Sequence, residues 1–166
     1  MINNEAHEEP VSSAGPRPKR FLSKAKGTNA ERELVKLFNE AGWSCIRVAG
    51  SGSSKYPSPD ILAGNALRRV AIECKITKEQ KKYFPQDEIE QLRLFSSRFG
   101  AESWIGVKFP SEPWHFVLLE DLEDTGTCRA VSVELAKRKG LNMEAFLNKE
   151  KNGEEENSIE EKKPHK

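Results

Sequence analysis

Residues 59–77 read PDILAGNALRRVAIECKIT, and the pattern of this stretch decides the fold. Two short apolar runs, Asp60 to Ala63 and Arg69 to Thr77, flank Gly64-Asn65, a pair that tolerates the tight backbone of a turn. The spacing predicts two adjacent strands. Side chains alternate along a strand, so Val70, Ile72, Cys74 and Ile76 share one face of the second run, and Ala71, Glu73 and Lys75 share the other. Asp60 opens the first strand of the hairpin, which brings Asp60, Glu73 and Lys75 to one edge. Two carboxylates beside an ammonium suit a hard divalent cation such as Mg²⁺, which prefers oxygen ligands and commonly takes one or two carboxylates. A cation held there would activate water toward a phosphodiester, with Lys75 orienting the water or stabilising charge. The competing reading is a solvated strand face carrying an exposed Glu73–Lys75 ion pair. Glu-x-Lys also begins at Glu79, Glu160 and Glu161, so the tripeptide by itself does not choose.

Upstream, a helix is expected to open near Thr28, with Leu34, Val35, Leu37, Phe38 and Ala41 on one face and Gly42 as its stop. Glu31 falls within that apolar arc, where a carboxylate needs a partner or a metal. Thr28-Asn29-Ala30-Glu31 also fits a capping box, in which Glu31 bonds back to the Thr28 amide. Arg32 borders this face, and Arg47 lies in a predicted strand from Trp43 to Ala49; both guanidinium groups suit phosphate oxygens or structural pairing with Glu31 or Asp60. The following loop, GSGSSKYPSP from Gly50 to Pro59, lacks the Gly-Lys-Ser/Thr ending of a nucleotide-binding P-loop and leads into no amphipathic helix. Its Ser53, Ser54 and Lys55 suit contacts to a nucleic-acid backbone, or the loop is a plain linker.

Downstream, Lys78, Lys81 and Lys82 beside Tyr83-Phe84 form either a phosphate-contacting, stacking patch or a solvated edge with core aromatics. A second helix is expected from about Gln86 to Phe99, striped by Ile89, Leu92, Phe95 and Phe99 and capped by Gly100. Phe95 and Phe99, one turn apart near its end, are core residues or a dimer contact. Strands from Trp104 to Phe109 and from Trp114 to Leu119, then a short helix near Val133 to Lys139, complete a mixed α/β domain around a central sheet.

The 166 residues allow one such domain with tails. Residues 1–22 and 148–166 are polar and aperiodic and read as a disordered arm and tail, leaving 23–147 as the domain. The formal net charge of +1 conceals an asymmetry: residues 19–108 hold 17 basic and 10 acidic residues, a net of +7, which favours an anionic partner such as nucleic acid. No apolar run approaches the ~20 residues of a membrane-spanning helix, and residues 1–20 have no signal-peptide pattern. Three scattered cysteines and three scattered histidines suggest neither a disulfide framework nor a zinc site. A soluble cytoplasmic protein without a membrane partner is the expectation.

The ordered set KGTNAERELVKLF, RVAGSGS, PDILAGN, VAIECK, LFSSRFGA, and VKF followed by WHFV resembles the archaeal Holliday-junction resolvases of the PD-(D/E)xK nuclease superfamily, over about residues 24–120. A fainter echo lies at VSVEL. The resemblance implies a restriction-endonuclease-like fold, with a mixed central sheet flanked by helices. It implies a homodimer that resolves four-way DNA junctions in recombination and repair by paired symmetric cuts, using Mg²⁺ with Mn²⁺ as a substitute. Carried over residue by residue, it places metal carboxylates at Asp60 and Glu73, a helix-borne catalytic carboxylate at Glu31 that serves the metal as an outer ligand or through water, and the active-site lysine at Lys75. DNA contacts fall on Arg32, Arg47 and the loop bearing Ser53, Ser54 and Lys55, and the dimer interface on Phe95 and Phe99. Other recombination or replication proteins are conceivable partners. The long N-terminal arm, the KYPSP insertion and the charged C-terminal tail depart from the family pattern. Two rival functions stand beside this one: a nuclease of linear or damaged duplex DNA, served by the same active-site residues and separated only by substrate, and a non-catalytic junction-binding protein.

Overall fold

The computed structural model describes residues 19–49 and 56–149. Ser53, Ser54 and Lys55, and all but the inner few residues of both expected tails, lie outside them. Helix α1 spans Lys19–Glu40 and is followed by β1 (Ser44–Arg47), β2 (Ile61–Gly64), β3 (Arg69–Ile76) and β4 (Lys81–Pro85). Next come α2 (Gln86–Phe99), β5 (Glu102–Lys108), β6 (Trp114–Leu118), β7 (Glu123–Asp124), β8 (Cys128–Ser132) and α3 (Val133–Lys139). Residues 143–149 are again helical. Among the described residues, no helix is long and apolar enough to cross a membrane.

Five strands form the main sheet in the order β1-β2-β3-β5-β6. The pairs β1–β2, β2–β3 and β5–β6 are antiparallel, while β3 and β5 run parallel and are joined through α2. Such a crossover places its helix on one face of the sheet. The predicted turn forms at Asn65, whose side-chain oxygen accepts hydrogen bonds from the Leu67 and Arg68 amides at 2.9 and 2.7 Å. Both faces of the sheet are covered, so Val70, Ala71 and Ile72 in β3 are all buried although they alternate in direction. Ala71 joins Ile89, Leu92, Ile105 and Val107 in the core under α2. Val70 and Ile72 join Leu34, Phe38, Trp104 and Phe116 in the core under α1.

The sequence pattern misplaced three boundaries. First, α1 begins at Lys19, so Thr28 lies inside the helix and residues 19–22 are helical instead of belonging to an arm. Its deepest stripe is Ala30, Leu34 and Phe38, at four-residue spacing, and it ends at Gly42 with φ +84°, a conformation that favours glycine. Second, the lysine-rich stretch after β3 is a strand. β4 pairs with β8, and β8 with β7, in a small second sheet absent from the predicted elements. Phe84 of β4 is buried while Tyr83 is half exposed.

Third, α3 does not close the domain, and helical structure continues through residues 148 and 149, which were expected to belong to the tail. Leu141 and Phe116 exchange backbone hydrogen bonds of 2.8 and 2.9 Å along the β6 edge. The next helix then inserts Phe146, fully buried, among Phe38, Trp104 and Phe116, with ring centroids 5.7, 4.9 and 4.4 Å away. Buried Arg68 fastens this corner. Its guanidinium makes a two-pronged contact to Glu102 at 2.7 and 2.9 Å, donates to the Phe146 carbonyl at 2.9 Å, and lies over the Trp43 and Phe146 rings. Although burial opposes its charge, the Arg68 guanidinium keeps Glu102 below the usual carboxylate range. Truncating Phe146 to alanine empties the centre of the aromatic cluster, and Phe146→Ala is expected to cost about 3–5 kcal/mol in urea unfolding. A loss near zero would show that the segment after α3 does not seal the core.

Candidate active site

The hairpin register sets the site. Ile61 faces Ile72 across the β2–β3 ladder, and one residue earlier the Asp60 amide donates to the Ile72 carbonyl at 3.1 Å. Asp60 therefore sits at the mouth of the hairpin, where its Oδ2 accepts the Cys74 amide at 2.9 Å. Glu73 and Lys75, on either side of Cys74, both point toward α2. Glu73 Oε1 lies 2.7 Å from Lys75 Nζ, and Glu88 Oε1 of α2 lies 2.6 Å from the same ammonium. A cleft of ≈ 370 Å³ opens here, lined by Ser58, Asp60, Glu73, Lys75, Asp87, Glu88, Gln91 and Leu92. The Glu73 and Lys75 side chains are only 14% and 27% exposed, so this is not the solvated strand face of the rival sequence reading.

Four carboxyl groups and one ammonium line the cleft, an excess of negative charge in a poorly solvated place. Glu73 responds most. Burial, and secondarily the Asp60 carboxylate, push its carboxyl up to about 8 against the pull of Lys75. Burial disfavours the charged form of Lys75, but Glu73 and Glu88 outweigh it and hold its ammonium above the usual lysine range. Ser58 contributes a buried hydroxyl with no hydrogen-bond partner among the described residues. Paired carboxylates short of positive charge, beside an unsatisfied hydroxyl, fit a hydrated divalent cation. Asp60 and Glu73 would supply protein oxygens, with water completing the coordination. Among the described residues no third Asp, Glu, His or Cys joins them at ligating distance.

Glu31 comes from the other face of the sheet, near enough to Cys74 to join burial, Asp60 and Glu73 in raising that thiol. It lies on α1, which packs against the sheet face opposite Glu73, and its Oε2 accepts from Arg47 Nη1 at 3.1 Å. The capping-box reading fails because Thr28 is interior to α1; the carboxylate on the inner face of the helix has a guanidinium partner instead. Arg47, opposite Ile61 on β1, is thus paired, and Arg32 is exposed on α1. At the far end of α2, the Phe95 and Phe99 rings stack with centroids 5.4 Å apart. Phe95 is partly buried against the α2 core, whereas Phe99 is 48% exposed, near exposed Ile46, Leu94 and Tyr56.

Sequence reasoning missed Ser58, Asp87, Glu88 and Gln91. Nothing in a helix-starting Gln-Asp-Glu distinguishes cleft carboxylates from acids placed to complement the helix dipole. The available signal was only that a helix following β3 must cross the face bearing Glu73 and Lys75.

Comparison with known proteins finds a family model described as archaeal Holliday junction resolvase (hjc), which matches residues 22–154. The crossover junction endodeoxyribonuclease Hjc of Archaeoglobus fulgidus is 47% identical over 102 residues, 61% of this chain and 75% of that protein. Its counterpart from Sulfurisphaera tokodaii is 33% identical over 128 residues, 75% of this chain and 88% of that one. The crystal structure of A. fulgidus Hjc, a Holliday junction resolvase, superposes with a TM-score of 0.68 at 37% identity, covering 74% of this chain and 96% of that structure.

The raised Glu73 carboxyl fixes the sign of a pH effect in the metal-free protein. Below its ordinary value of 4.5 the group is protonated in both folded and unfolded chains. Between there and about 8 the unfolded chain loses the proton while the folded chain keeps it. Stability is therefore lost as pH rises through that window, and Glu73→Gln should remove this loss. At pH 8 in EDTA the variant is expected to be more stable than the wild-type chain by on the order of 1 kcal/mol. Denaturant unfolding across pH 5–8.5 checks this, and parallel curves for the two proteins would refute it.

Proposed function

The chain belongs to the archaeal Holliday junction resolvase family, and we propose that it resolves four-way DNA junctions by Mg²⁺-dependent phosphodiester cleavage in the cleft between the β2–β3 hairpin and α2. The observation that carries the reading is the hydrogen bond from the Cys74 amide to Asp60, which sets two carboxylates and Lys75 around one cleft. A binding module gains nothing from acids facing phosphate, whereas a nuclease needs them to hold a cation. Mg²⁺ held by Asp60 and Glu73, or Mn²⁺ in its place, would supply Lewis-acid stabilisation of charge on the scissile phosphate.

This chain's own residues do the rest. The Lys75 ammonium donates N–H groups into the cleft, where it orients the attacking water or meets the charge that develops on phosphate. The Ser58 hydroxyl can give its unused hydrogen bond to substrate oxygen or to ordered water. Arg47, held by Glu31, and exposed Arg32 contact the DNA backbone, with Ser53, Ser54 and Lys55 as further backbone contacts. Backbone contacts position DNA without reading its bases, which suits an enzyme selective for shape. Glu31 then serves catalysis by fixing Arg47 on the α1 side of the sheet. Paired cuts require two sites related by a two-fold axis, and the exposed Phe99 with Phe95, Leu94 and Ile46 provides an apolar surface for a homodimer. The cytoplasm is the proposed location.

Asp60→Asn and Glu73→Gln are each expected to slow cleavage of an end-labelled four-way junction by about 100-fold or more while leaving junction affinity nearly unchanged. EDTA should act in the same way on the unsubstituted protein. Full activity in either variant would overturn the site assignment, and equal cutting of a matched linear duplex would overturn junction selectivity. Phe95→Ala together with Phe99→Ala is expected to weaken association by about 2–4 kcal/mol in sedimentation equilibrium. A stable, fully active monomer would refute the dimer.

A further inference from the structure

Lys75 is held by two carboxylates from different elements: Glu73 of its own strand at 2.7 Å and Glu88 of α2 at 2.6 Å. The proposed function uses only the first. A cation bound at Asp60 and Glu73 draws on the same carboxylate charge that Lys75 now pairs with through Oε1, and the two positive groups repel, so lysine and metal compete for Glu73. With Glu73 as its only partner, Lys75 would have to remain there and oppose the metal, or leave with its charge unpaired in a half-buried cleft, which is costly. Glu88 removes this conflict. It approaches from the opposite wall, lines the same cleft, and already contacts the ammonium.

We propose that Glu88 is a positioning residue, an acceptor to which Lys75 transfers when Glu73 takes a divalent cation, keeping the ammonium at the scissile phosphate in the metal-loaded enzyme. The inference rests on the assignment of Asp60 and Glu73 as metal carboxylates. Its geometry has local reasons. Glu88 is in the first turn of α2, one residue before fully buried Ile89 and four before buried Leu92, so core packing fixes the helix end that presents it. A glutamate in the first turn is compatible with the helix dipole, so holding it there strains nothing. Its side chain is 29% exposed, so Glu88→Gln, nearly equal in shape, should fold normally.

The test separates action through Lys75 from direct action on the cation. Mn²⁺ affinity is measured by electron paramagnetic resonance titration of the full chain, as wild type, Glu88→Gln, Lys75→Met and the double variant, with thermal melts of all four. Junction cleavage under single turnover and junction affinity are measured for wild type, Glu88→Gln and Glu88→Asp. The expectation is that Glu88→Gln weakens Mn²⁺ binding several-fold when Lys75 is present and has little effect when Lys75→Met is present, a coupling that a double-mutant cycle isolates. Single-turnover cleavage should fall about tenfold or more, as misplacement of a reacting group does. Junction affinity should not change, and Glu88→Asp should restore part of the rate. Equal weakening of Mn²⁺ binding with and without Lys75→Met would overturn the proposal by making Glu88 a direct electrostatic contributor to the metal. No change in either background would overturn it too. If wild type binds no Mn²⁺ and cuts no junction, the metal-site assignment itself falls, an outcome distinct from both.

Discussion

The register of β2 against β3 is the constraint on which the rest of this molecule depends. Ile61 opposite Ile72 leaves Asp60 one step outside the ladder, close enough to accept the Cys74 amide, and places Glu73 and Lys75 on the wall facing α2. Because side chains alternate, a slip of one residue would turn Glu73 and Lys75 into the α1 core and present Cys74 to the cleft. Apolar packing enforces the register from both sides: Val70 and Ile72 are buried under α1 and Ala71 under α2. The same hydrophobic contacts that stabilise the sheet thus determine which groups meet in the cleft.

That cleft is poised by charge as well as by shape. It presents four acids around one lysine. Burial, and after it the Asp60 carboxylate, raises the carboxyl of Glu73, while Glu73 and Glu88 draw Lys75 between two walls of the site. The arrangement leaves electrostatic demand for a cation and at the same time anchors the Lys75 ammonium from both sides. Glu31 and Arg47 show the complementary device: their charges satisfy one another across the α1–β1 junction, and the arginine's direction is set by the glutamate. The cleft carries an excess of one charge, whereas the α1–β1 junction is balanced.

The hairpin, α2 and the opposed faces of β3 were legible because each has a clear period: alternation in VAIECK, and the Ile89–Leu92 stripe in α2. The start of α1 was hidden because Lys19 to Gly27 is mostly polar and contains a glycine, so local preference gives no signal. β4 was masked by its lysines, although Tyr83 out and Phe84 in is the alternation of an edge strand. Asp60, Glu73 and Lys75 could be placed together from sequence since a single hairpin joins them. Glu88 and Ser58 could not, because their approach depends on how α2 and the segment before β2 pack. Phe146 was invisible for a similar reason: one aromatic in a charged stretch acquires meaning only when Phe38, Trp104 and Phe116 leave a space for it.

The aromatic cluster joins the first helix to the last helical segment, so residues more than a hundred positions apart, Leu34 and Phe146, share one core. Contacts of such long sequence separation slow folding, because a long stretch of chain must be closed before they are gained. On the ribosome, the apolar stripe of α1 emerges early and must wait for nearly the whole domain to be synthesised before Phe146 can cover it. Until then the nascent chain carries a helix with an uncovered apolar stripe, the kind of surface that chaperones retain.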